Sequence, residues 1–199
     1  MHYFINDENA KSDEKEFQVN ILGKTFKFIT DNGVFSKGKL DEASRMLIET
    51  FDALALPGDG DILDVGCGYG AIGIALAANR QSADVHMVDV NLRAINLAKR
   101  NVKLNHIENI HVYESYCYES VKTKFAHIVS NPPIRAGKKV VQQIIAESTD
   151  YLLDNGSLTI VIGKHHGAAS AQKKMEEVFG NAHKINRRKG FWIIQSFKN

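Results

Sequence analysis

One glycine-rich stretch, Asp64-Val65-Gly66-Cys67-Gly68-Tyr69-Gly70, indicates the fold most clearly. The apolar residues 62–65 predict a short buried strand that leads into it, and the small residues 71–78 predict a helix that follows. Glycines at such a turn let the backbone bend tightly and approach a ligand, while the helix N-terminus presents free N–H groups. The stretch therefore predicts a ligand-binding loop in an α/β domain.

Strands and helices alternate after this loop. Strands are predicted at 85–88, 110–113, 128–130 and 157–162, helices at 92–104, 140–153 and 168–179, and two closing strands at 182–186 and 191–197. Repeated β-then-α units predict a parallel sheet with helices on both faces.

The region before the glycine loop has a different pattern. Segments 17–22 and 25–29 alternate apolar and polar residues around Gly23, which predicts a β-hairpin. Asp41 can cap a helix that runs to about residue 54, before Pro57-Gly58. Residues 1–16 are polar and are predicted to be a flexible arm. The domain prediction is therefore a single α/β domain at 17–199, with 17–30 as a hairpin extension.

Composition excludes several classes of protein. The chain has 199 residues, of which 44% are hydrophobic and 24% are charged, as in a soluble globular domain. The longest apolar run, 71–78, is too short to span a bilayer, so no membrane partner is expected. Two cysteines without a CxxC pair argue against a disulfide scaffold or a cysteine-rich zinc site, which favours a cytoplasmic location. Adjacent His165 and His166 rarely converge on one ion, so no metal is expected.

Charge is distributed unevenly along the chain. Residues 1–121 carry 12 Lys and Arg and 18 Asp and Glu, a net charge of −6. Residues 122–199 carry 13 and 5, a net charge of +8. A solvated basic face and a polyanionic partner are both compatible with this asymmetry.

The residues around the glycine loop distinguish two classes of cofactor. Gly66, Gly68 and Ala71 satisfy the dinucleotide pattern GxGxxA. The carboxylate of Asp64, two residues before the first glycine, would repel a pyrophosphate. It can instead bind the ammonium group of a methionine moiety, or orient water and backbone around it. With Gly70 completing GxGxG, these features favour S-adenosylmethionine over a dinucleotide.

Asp89 ends the next predicted strand. Acidic side chains at this place bind ribose hydroxyls in both cofactor classes, so Asp89 does not distinguish them. Its alternative interpretation is a carboxylate that stabilises a helix N-terminus.

The segment Asn131-Pro132-Pro133 follows the predicted strand 128–130 directly. Proline has no N–H and a fixed φ, so the carbonyl group of Pro132 can be held beside the amide oxygen of Asn131. Two fixed acceptors suit the two N–H bonds of a planar amine. The alternative interpretation is a rigid exit from the strand.

These motifs together resemble the class I S-adenosylmethionine-dependent methyltransferases that modify exocyclic or amide nitrogen. The segment Gly33-Val34-Phe35-Ser36-Lys37-Gly38-Lys39-Leu40-Asp41 is similar to a segment of the RsmC-type small-subunit ribosomal RNA guanine-N2 methyltransferases. The resemblance covers about residues 17–199, the catalytic domain. It implies a doubly wound Rossmann-like sheet, mostly parallel with an antiparallel C-terminal strand, after an N-terminal β-hairpin. It also implies S-adenosylmethionine as cofactor, S-adenosylhomocysteine as product, and ribosomal RNA or the small ribosomal subunit as partner.

The resemblance and the residue chemistry together give a set of site residues. The predicted catalytic residues are Asn131 and Pro132. The predicted substrate-binding residues are Pro133, Ile134, Arg135, Lys138, Lys139 and Lys164. The predicted cofactor-binding residues are Phe35, Asp64, Gly66, Cys67, Gly68, Gly70, Asp89, Val90, Ser115 and Asn131.

Some of these residues have equally plausible structural roles. Ser115 can contact the adenine or serve as a turn residue, and Phe35 can close over the cofactor or anchor its loop. Cys67 is interpreted as a small loop residue because no His or Asn is placed to activate it as a nucleophile. Ile134 stands where the family often has an aromatic residue that stacks on the target base.

Three other functions remain open. A protein glutamine N5-methyltransferase has a similar Asn-Pro-Pro motif, but the basic C-terminal half, the 33–41 segment and Ile134 argue against it. A small-molecule N-methyltransferase would not need the basic half. An RNA-binding module with a vestigial cofactor fold is disfavoured because both motifs are intact.

The basic residues 187–189 either bind phosphate or form a solvated hairpin.

Overall fold

The computed structural model describes residues 11–54, 56 and 60–199. The strands are β1 Lys15–Ile21, β2 Lys24–Thr30, β3 Ile62–Val65, β4 Val85–Asp89, β5 Ile110–Glu114, β6 Phe125–Ser130, β7 Leu152–Gly163, β8 His183–Arg188 and β9 Phe191–Phe197. The helices are α1 Glu42–Asp52, α2 Ala71–Asn79, α3 Leu92–Leu104, α4 Lys138–Glu147 and α5 Ala168–Phe179. The predicted stop at Pro57-Gly58 and residues 1–10 of the predicted arm lie outside the described residues.

Seven strands form one sheet in the order β5-β4-β3-β6-β7-β9-β8. The strands from β5 to β7 pair in parallel, and β9 is antiparallel to both of its neighbours. β1 and β2 form a separate antiparallel hairpin. This architecture confirms the predicted fold class. The strand order changes direction between β3 and β6, and ligands of doubly wound folds bind at the carboxyl ends of the strands beside such a point.

Two hydrophobic cores cover the two faces of the sheet. Successive strand residues point to opposite faces, so Ile62 and Val129 join one core while Leu63 and Ile128 join the other. The first core includes the apolar faces of α1, α2 and α3 together with the hairpin, and the second includes those of α4 and α5. Helices cover both faces, so in a fold of this kind a ligand is expected at the carboxyl ends of β3, β4 and β6.

The hairpin begins inside the segment that the sequence predicts to be an arm. β1 starts at Lys15, and the residues just before it contact the domain. Ser12 donates a hydrogen bond to Asp31, and Glu14 forms an ion pair with Arg100 of α3. The described part of the arm is therefore attached to the domain through side-chain contacts.

The helix predicted at 140–153 is wrong at its C-terminal end. α4 ends at Glu147, a 3₁₀ turn follows at Ser148–Tyr151, and β7 begins at Leu152. The hydroxyl of Ser148 bonds the carbonyl oxygen of Ile145, and Leu152 pairs with Phe125 of β6. Tertiary strand pairing therefore overrides the helical pattern of residues 148–153. No helix within the described residues is long and apolar enough to cross a membrane.

Candidate active site

The glycine loop joins β3 to α2 at the switch in strand order. The N–H groups of Gly66 and Cys67 both donate to the carbonyl oxygen of Val88 in β4, at 2.8 and 2.9 Å. Gly66, Gly68 and Gly70 all have positive φ, which favours glycine. Apart from its chain neighbours, no described residue has an atom within 4 Å of a Cβ added at Gly68, so the described part of the loop has open space at that position.

Gly70 lies in a crowded place instead. A Cβ there would approach Ile74, Met87 and Ala98 at 3.2–3.4 Å, and Gly70 is also the N-cap of α2. The geometry gives this glycine a packing role at the helix start, and its predicted cofactor contact stays a prediction.

Asp64 lies at the end of β3 with no exposed surface. Its Oδ2 atom accepts a hydrogen bond from the N–H of Gly73 at 3.0 Å, and its Oδ1 atom has no hydrogen-bond partner among the described residues. Burial raises the pKa of this carboxyl to about 7; the Gly73 bond opposes the shift, and the nearby charge of Asp89 adds to it. Asp64 is predicted either to bind an ammonium group or to orient water and backbone. Its bond with the N–H of Gly73 corresponds to the second of these roles.

Asp89 ends β4 and faces the glycine loop. Its carboxylate accepts the N–H of Gly68 at 2.9 Å and the N–H of Asn91 at 2.9 Å. Burial raises its pKa, and hydrogen bonds from Asn91, Gly68 and Val90 oppose that shift. The arrangement brings Asp89, Val90 and the glycine loop together, and their contacts with a cofactor stay a prediction.

Ser115 and Cys67 have their polar groups engaged inside the protein. The hydroxyl of Ser115 donates to the carbonyl oxygen of Cys117 and accepts from the N–H of Ser120, both at 3.0 Å. This is the turn role that the sequence leaves open. Burial raises the pKa of the Cys67 thiol well above its ordinary value, so the group is a neutral thiol near pH 7.

The Asn-Pro-Pro segment lies beside the glycine loop. The hydroxyl of Ser130, the last residue of β6, donates to the carbonyl oxygen of Val65 at 2.7 Å. A Cβ added at Gly66 would lie 3.7 Å from Cδ of Pro133. The two motifs that the sequence identifies therefore lie next to each other, although 60 residues separate them in the chain.

The side chain of Asn131 is held through its nitrogen. Its Nδ2 atom donates to Oγ of Ser44 at 3.0 Å and to Oδ1 of Asp41 at 3.3 Å. No described residue donates a hydrogen bond to the amide oxygen of Asn131 or to the carbonyl oxygen of Pro132. Both predicted acceptors therefore keep their capacity to bind a ligand N–H.

The local sequence pattern indicates no role for Ser44 and only a capping role for Asp41. Asp41 does cap α1, since its Oδ1 atom accepts the N–H of Ser44 at 2.9 Å. The available signal was the resemblance of the 33–41 segment, whose last residue is Asp41. The contact itself joins residues 90 positions apart, which no local pattern reveals.

The 33–41 segment crosses the site and is attached at several points. Asn91 donates to the carbonyl oxygen of Gly33 at 2.9 Å, and the hydroxyl of Tyr69 donates to that of Lys39 at 3.0 Å. Phe35 in this segment is 43% exposed. The segment thus connects the glycine loop, the end of β4 and Asn131, and Phe35 remains a candidate for cofactor contact.

The predicted substrate residues lie around the same edge. Lys138 and Lys139 begin α4 and are exposed, and Lys164 is exposed just after β7. Ile134 is half-buried against the second core. The side chain of Arg135 is not part of the described structure. Within the described chain, no group of three or more His, Cys, Asp or Glu residues is arranged to hold a metal ion.

The basic residues 187–189 lie near α1. Arg188 pairs with Glu49 at 3.0 Å and with Glu42 at 3.4 Å, and Lys189 pairs with Glu42 at 3.1 Å. The N–H of Lys164 donates to the carbonyl oxygen of Gly190 at 2.7 Å, which places the β8–β9 turn at the carboxyl end of β7. This turn therefore lies beside the candidate site. The charged side chains of Arg188 and Lys189 are paired with carboxylates of α1.

This chain is similar to several known proteins. The model of the methyltransferase small domain family matches residues 25–195. An uncharacterized protein of Bacillus subtilis (strain 168), YbxB, is 42% identical over 99% of this chain and 98% of its own length. The ribosomal RNA small subunit methyltransferase C of Vibrio vulnificus is 28% identical over 92% of this chain and 53% of its own length.

One solved structure is similar over nearly the whole chain. The Thermus thermophilus 16S rRNA N2 G1207 methyltransferase RsmC, in complex with AdoMet and guanosine, superposes with a TM-score of 0.83 at 25% identity. The match covers 94% of this chain and 51% of that chain. The present chain thus spans about half the length of these two ribosomal RNA methyltransferases.

Proposed function

Since this chain belongs to the methyltransferase small domain family, we propose that it methylates the exocyclic N2 amine of a guanine in small-subunit ribosomal RNA. The family and its RsmC-like members make the chain an S-adenosylmethionine-dependent methyltransferase. The observation that carries the finer proposal is the orientation of Asn131. Its amide nitrogen donates to Ser44 of α1 and to Asp41, which caps α1, so its oxygen is left as an acceptor for an amine, together with the carbonyl oxygen of Pro132.

The described residues fit S-adenosylmethionine. Gly68 has open space for a ligand to approach the backbone, and the Asp89 carboxylate adjoins it to receive ribose hydroxyls. The orphan Oδ1 atom of buried Asp64 supplies a negative or polar group behind the loop, which suits a cationic ligand. When bound, S-adenosylmethionine supplies an electrophilic methyl group on a sulfonium.

Asn131 and Pro132 are proposed to act on the acceptor amine. The lone pair of a guanine N2 amine is delocalised into the ring. Two hydrogen bonds from its N–H groups to the Asn131 and Pro132 oxygens would orient that lone pair for in-line attack. The same bonds strengthen as the nitrogen becomes cationic, so they stabilise the transition state more than the ground state. After transfer the nitrogen is a cation with a strongly acidic N–H, so the proton can pass to water without a tuned general base.

The RNA substrate is supported by charge and by the relatives. Lys138, Lys139 and Lys164 are exposed around the amine-binding edge, where they can contact phosphate. The names of the Vibrio and Thermus relatives state that those proteins act on small-subunit ribosomal RNA. A protein glutamine N5-methyltransferase stays the main alternative, because an amide nitrogen could be bound by the same two oxygens.

Nucleoside analysis of methylated RNA tests the proposal. The purified protein is incubated with labelled S-adenosylmethionine and, in separate reactions, with small ribosomal subunits, protein-free small-subunit RNA and large-subunit RNA. We expect N2-methylguanosine in small-subunit RNA, in at least one of the first two reactions. Transfer to large-subunit RNA alone, to another atom, or to a ribosomal protein in the intact subunit would contradict the assignment.

A further inference from the structure

We propose that Asp41 and Ser44, at the start of α1, are positioning residues that orient and polarise the Asn131 amide for methyl transfer. The inference rests on the proposed amine-binding role of Asn131. Asp41 and Ser44 accept hydrogen bonds from the amide nitrogen of Asn131, at 3.3 and 3.0 Å respectively. Both lie at the start of α1 and not at the carboxyl end of β3, β4 or β6, where the candidate site is. They therefore act on the reaction through Asn131.

The orientation follows from hydrogen-bond chemistry. A carboxylate has no proton to donate, so the atom of the Asn131 amide that faces Asp41 must be the nitrogen. Turning the amide by 180° would place its oxygen against the Asp41 carboxylate, where lone pairs and partial charges repel. Asp41 and Ser44 together fix the amide oxygen on the opposite side.

The Asp41 charge also acts on the strength of the acceptor. A negative group bonded to the N–H of an amide shifts electron density toward the amide oxygen, as happens along chains of hydrogen bonds. That oxygen then interacts more favourably with an amine that becomes positive. Asp41 is itself held in place by its cap bond to the N–H of Ser44, and Ser44 is buried, so the group is preorganised.

Removing the Ser44 hydroxyl tests the positioning role. Ser44→Ala keeps the backbone N–H that Asp41 caps and introduces a good helix former, so α1 should stay folded. We expect single-turnover methyl transfer to fall about tenfold, the order of one lost hydrogen bond. The RNA concentration for half-maximal rate and the cofactor-induced rise in melting temperature should not change.

The same helix offers a matched control. Thr50 on α1 also accepts a hydrogen bond from an asparagine amide, that of Asn186 at 2.8 Å. Thr50→Val removes this hydroxyl while it keeps the side-chain shape, and it leaves Asn131 untouched. We expect near wild-type transfer from this variant. Equal rates in Ser44→Ala and Thr50→Val would overturn the proposal.

A charge exchange tests the role of Asp41. Asn131→Asp places two carboxylates against each other and should transfer methyl groups slowly. Asp41→Asn in that background restores a donor opposite residue 131 and keeps a good helix cap. We expect the double variant to be at least about tenfold faster than Asn131→Asp alone. A double variant that is as slow as Asn131→Asp would contradict the proposed arrangement.

Side-chain hydrogen exchange provides a readout that needs no RNA. The side-chain amide protons of Asn131 should exchange more slowly in the wild type and in Thr50→Val than in Ser44→Ala, as measured by NMR. Unchanged exchange in Ser44→Ala would refute the positioning role even if the RNA substrate is wrong. A wild type with the expected exchange pattern but no transfer to RNA would refute the proposed function and leave the contact supported.

Discussion

Asp64 is a carboxyl group without exposed surface at the end of β3, and ionisation is costly there because water cannot solvate the charge. The hydrogen bond that it accepts from the N–H of Gly73 only partly compensates for the missing water. Burial therefore raises its pKa from 3.8 to about 7. At neutral pH the residue can be neutral or charged, which links the stability of the ligand-free protein to pH.

The sign of that pH dependence follows from proton binding. With a higher pKa when folded, Asp64 binds more protons in the folded than in the unfolded protein between pH 3.8 and about 7. The contribution of Asp64 to the free energy of unfolding should therefore fall as pH rises through this window. From pH 5 to pH 8, Asp64→Asn should gain about 3 kcal/mol of stability relative to the wild type. Urea unfolding at both pH values measures this, and parallel pH profiles for the two proteins would refute it.

Gly68 allows a test of the cofactor site with a matched control. Gly68 and Gly180 both have positive φ and open space for a Cβ, so alanine should cost each a similar backbone strain of about 1–2 kcal/mol. Only Gly68 lies in the glycine loop. We expect S-adenosylmethionine to raise the melting temperature of the wild type and of Gly180→Ala but much less that of Gly68→Ala. NAD should have no effect, and stabilisation by NAD alone would contradict the cofactor assignment.

The site could be predicted from the sequence only where its chemistry is local. The glycine loop, Asp89 and the Asn-Pro-Pro segment each occupy a few consecutive residues at strand ends, so their types and order indicate a role. The bonds from Asn131 to Asp41 and Ser44 depend on where α1 packs against the sheet. The crowding at Gly70 likewise arises from Met87 and Ala98 on neighbouring elements.

At the scale of elements, α3 binds the hairpin through two asparagines one turn apart. Buried Asn101 accepts the N–H of Ile29 and donates to the carbonyl oxygens of Ile29 and Tyr69, at 2.8–2.9 Å. Asn105 makes the same pair of bonds to Lys27 in an exposed position. The two asparagines thus bind backbone N–H and carbonyl groups at the free edge of β2, which another strand would otherwise bind.

This pair predicts unequal stability effects. Asn101→Ala leaves three buried backbone groups without partners, so it should lower the free energy of unfolding by about 3 kcal/mol or more. Asn105→Ala leaves groups that water can reach and should cost less than about 1 kcal/mol. Denaturant unfolding of both variants measures the difference. Equal losses would show that the buried bonds do not hold the hairpin.

Element boundaries show where sequence patterns are insufficient. The alternation of apolar residues predicted β1 and β2 to within a few residues, because one face of each is buried in the first core. The segment 148–153 has helical character, yet Leu152 pairs with Phe125 and extends β7. Whether these residues continue the helix or begin a strand depends on the neighbouring strand β6, so a pattern within the segment cannot predict it.

At the scale of the whole molecule, the basic C-terminal half of the chain contributes exposed lysines just after the carboxyl end of β6. Lys138 and Lys139 begin α4 just after the Asn-Pro-Pro segment and are exposed. Changing both to Gln should weaken binding to small-subunit RNA and reduce the slope of log affinity against log salt by about 1.5. Cofactor affinity should stay unchanged.

The control for this change lies at the opposite edge. Lys122 and Lys124 are also exposed, but they precede β6 and so lie at its amino end. Their double change to Gln alters the net charge equally and should leave the salt slope nearly intact. Fluorescence anisotropy with labelled RNA over a salt series compares the two variants. Identical slopes in both would show that RNA senses only the overall charge.

Asn131 is proposed to bind and orient the amine that is methylated. Single-turnover methyl transfer to small-subunit RNA, with wild type and Asn131→Ala under saturating S-adenosylmethionine, measures this most directly. Loss of one preorganised contact costs about 10²–10³ in rate at comparable sites. We predict a loss of that size for Asn131→Ala, with RNA affinity and the cofactor-induced thermal shift retained. Transfer at the wild-type rate would contradict the claim and reduce the Asn-Pro-Pro segment to a rigid strand exit.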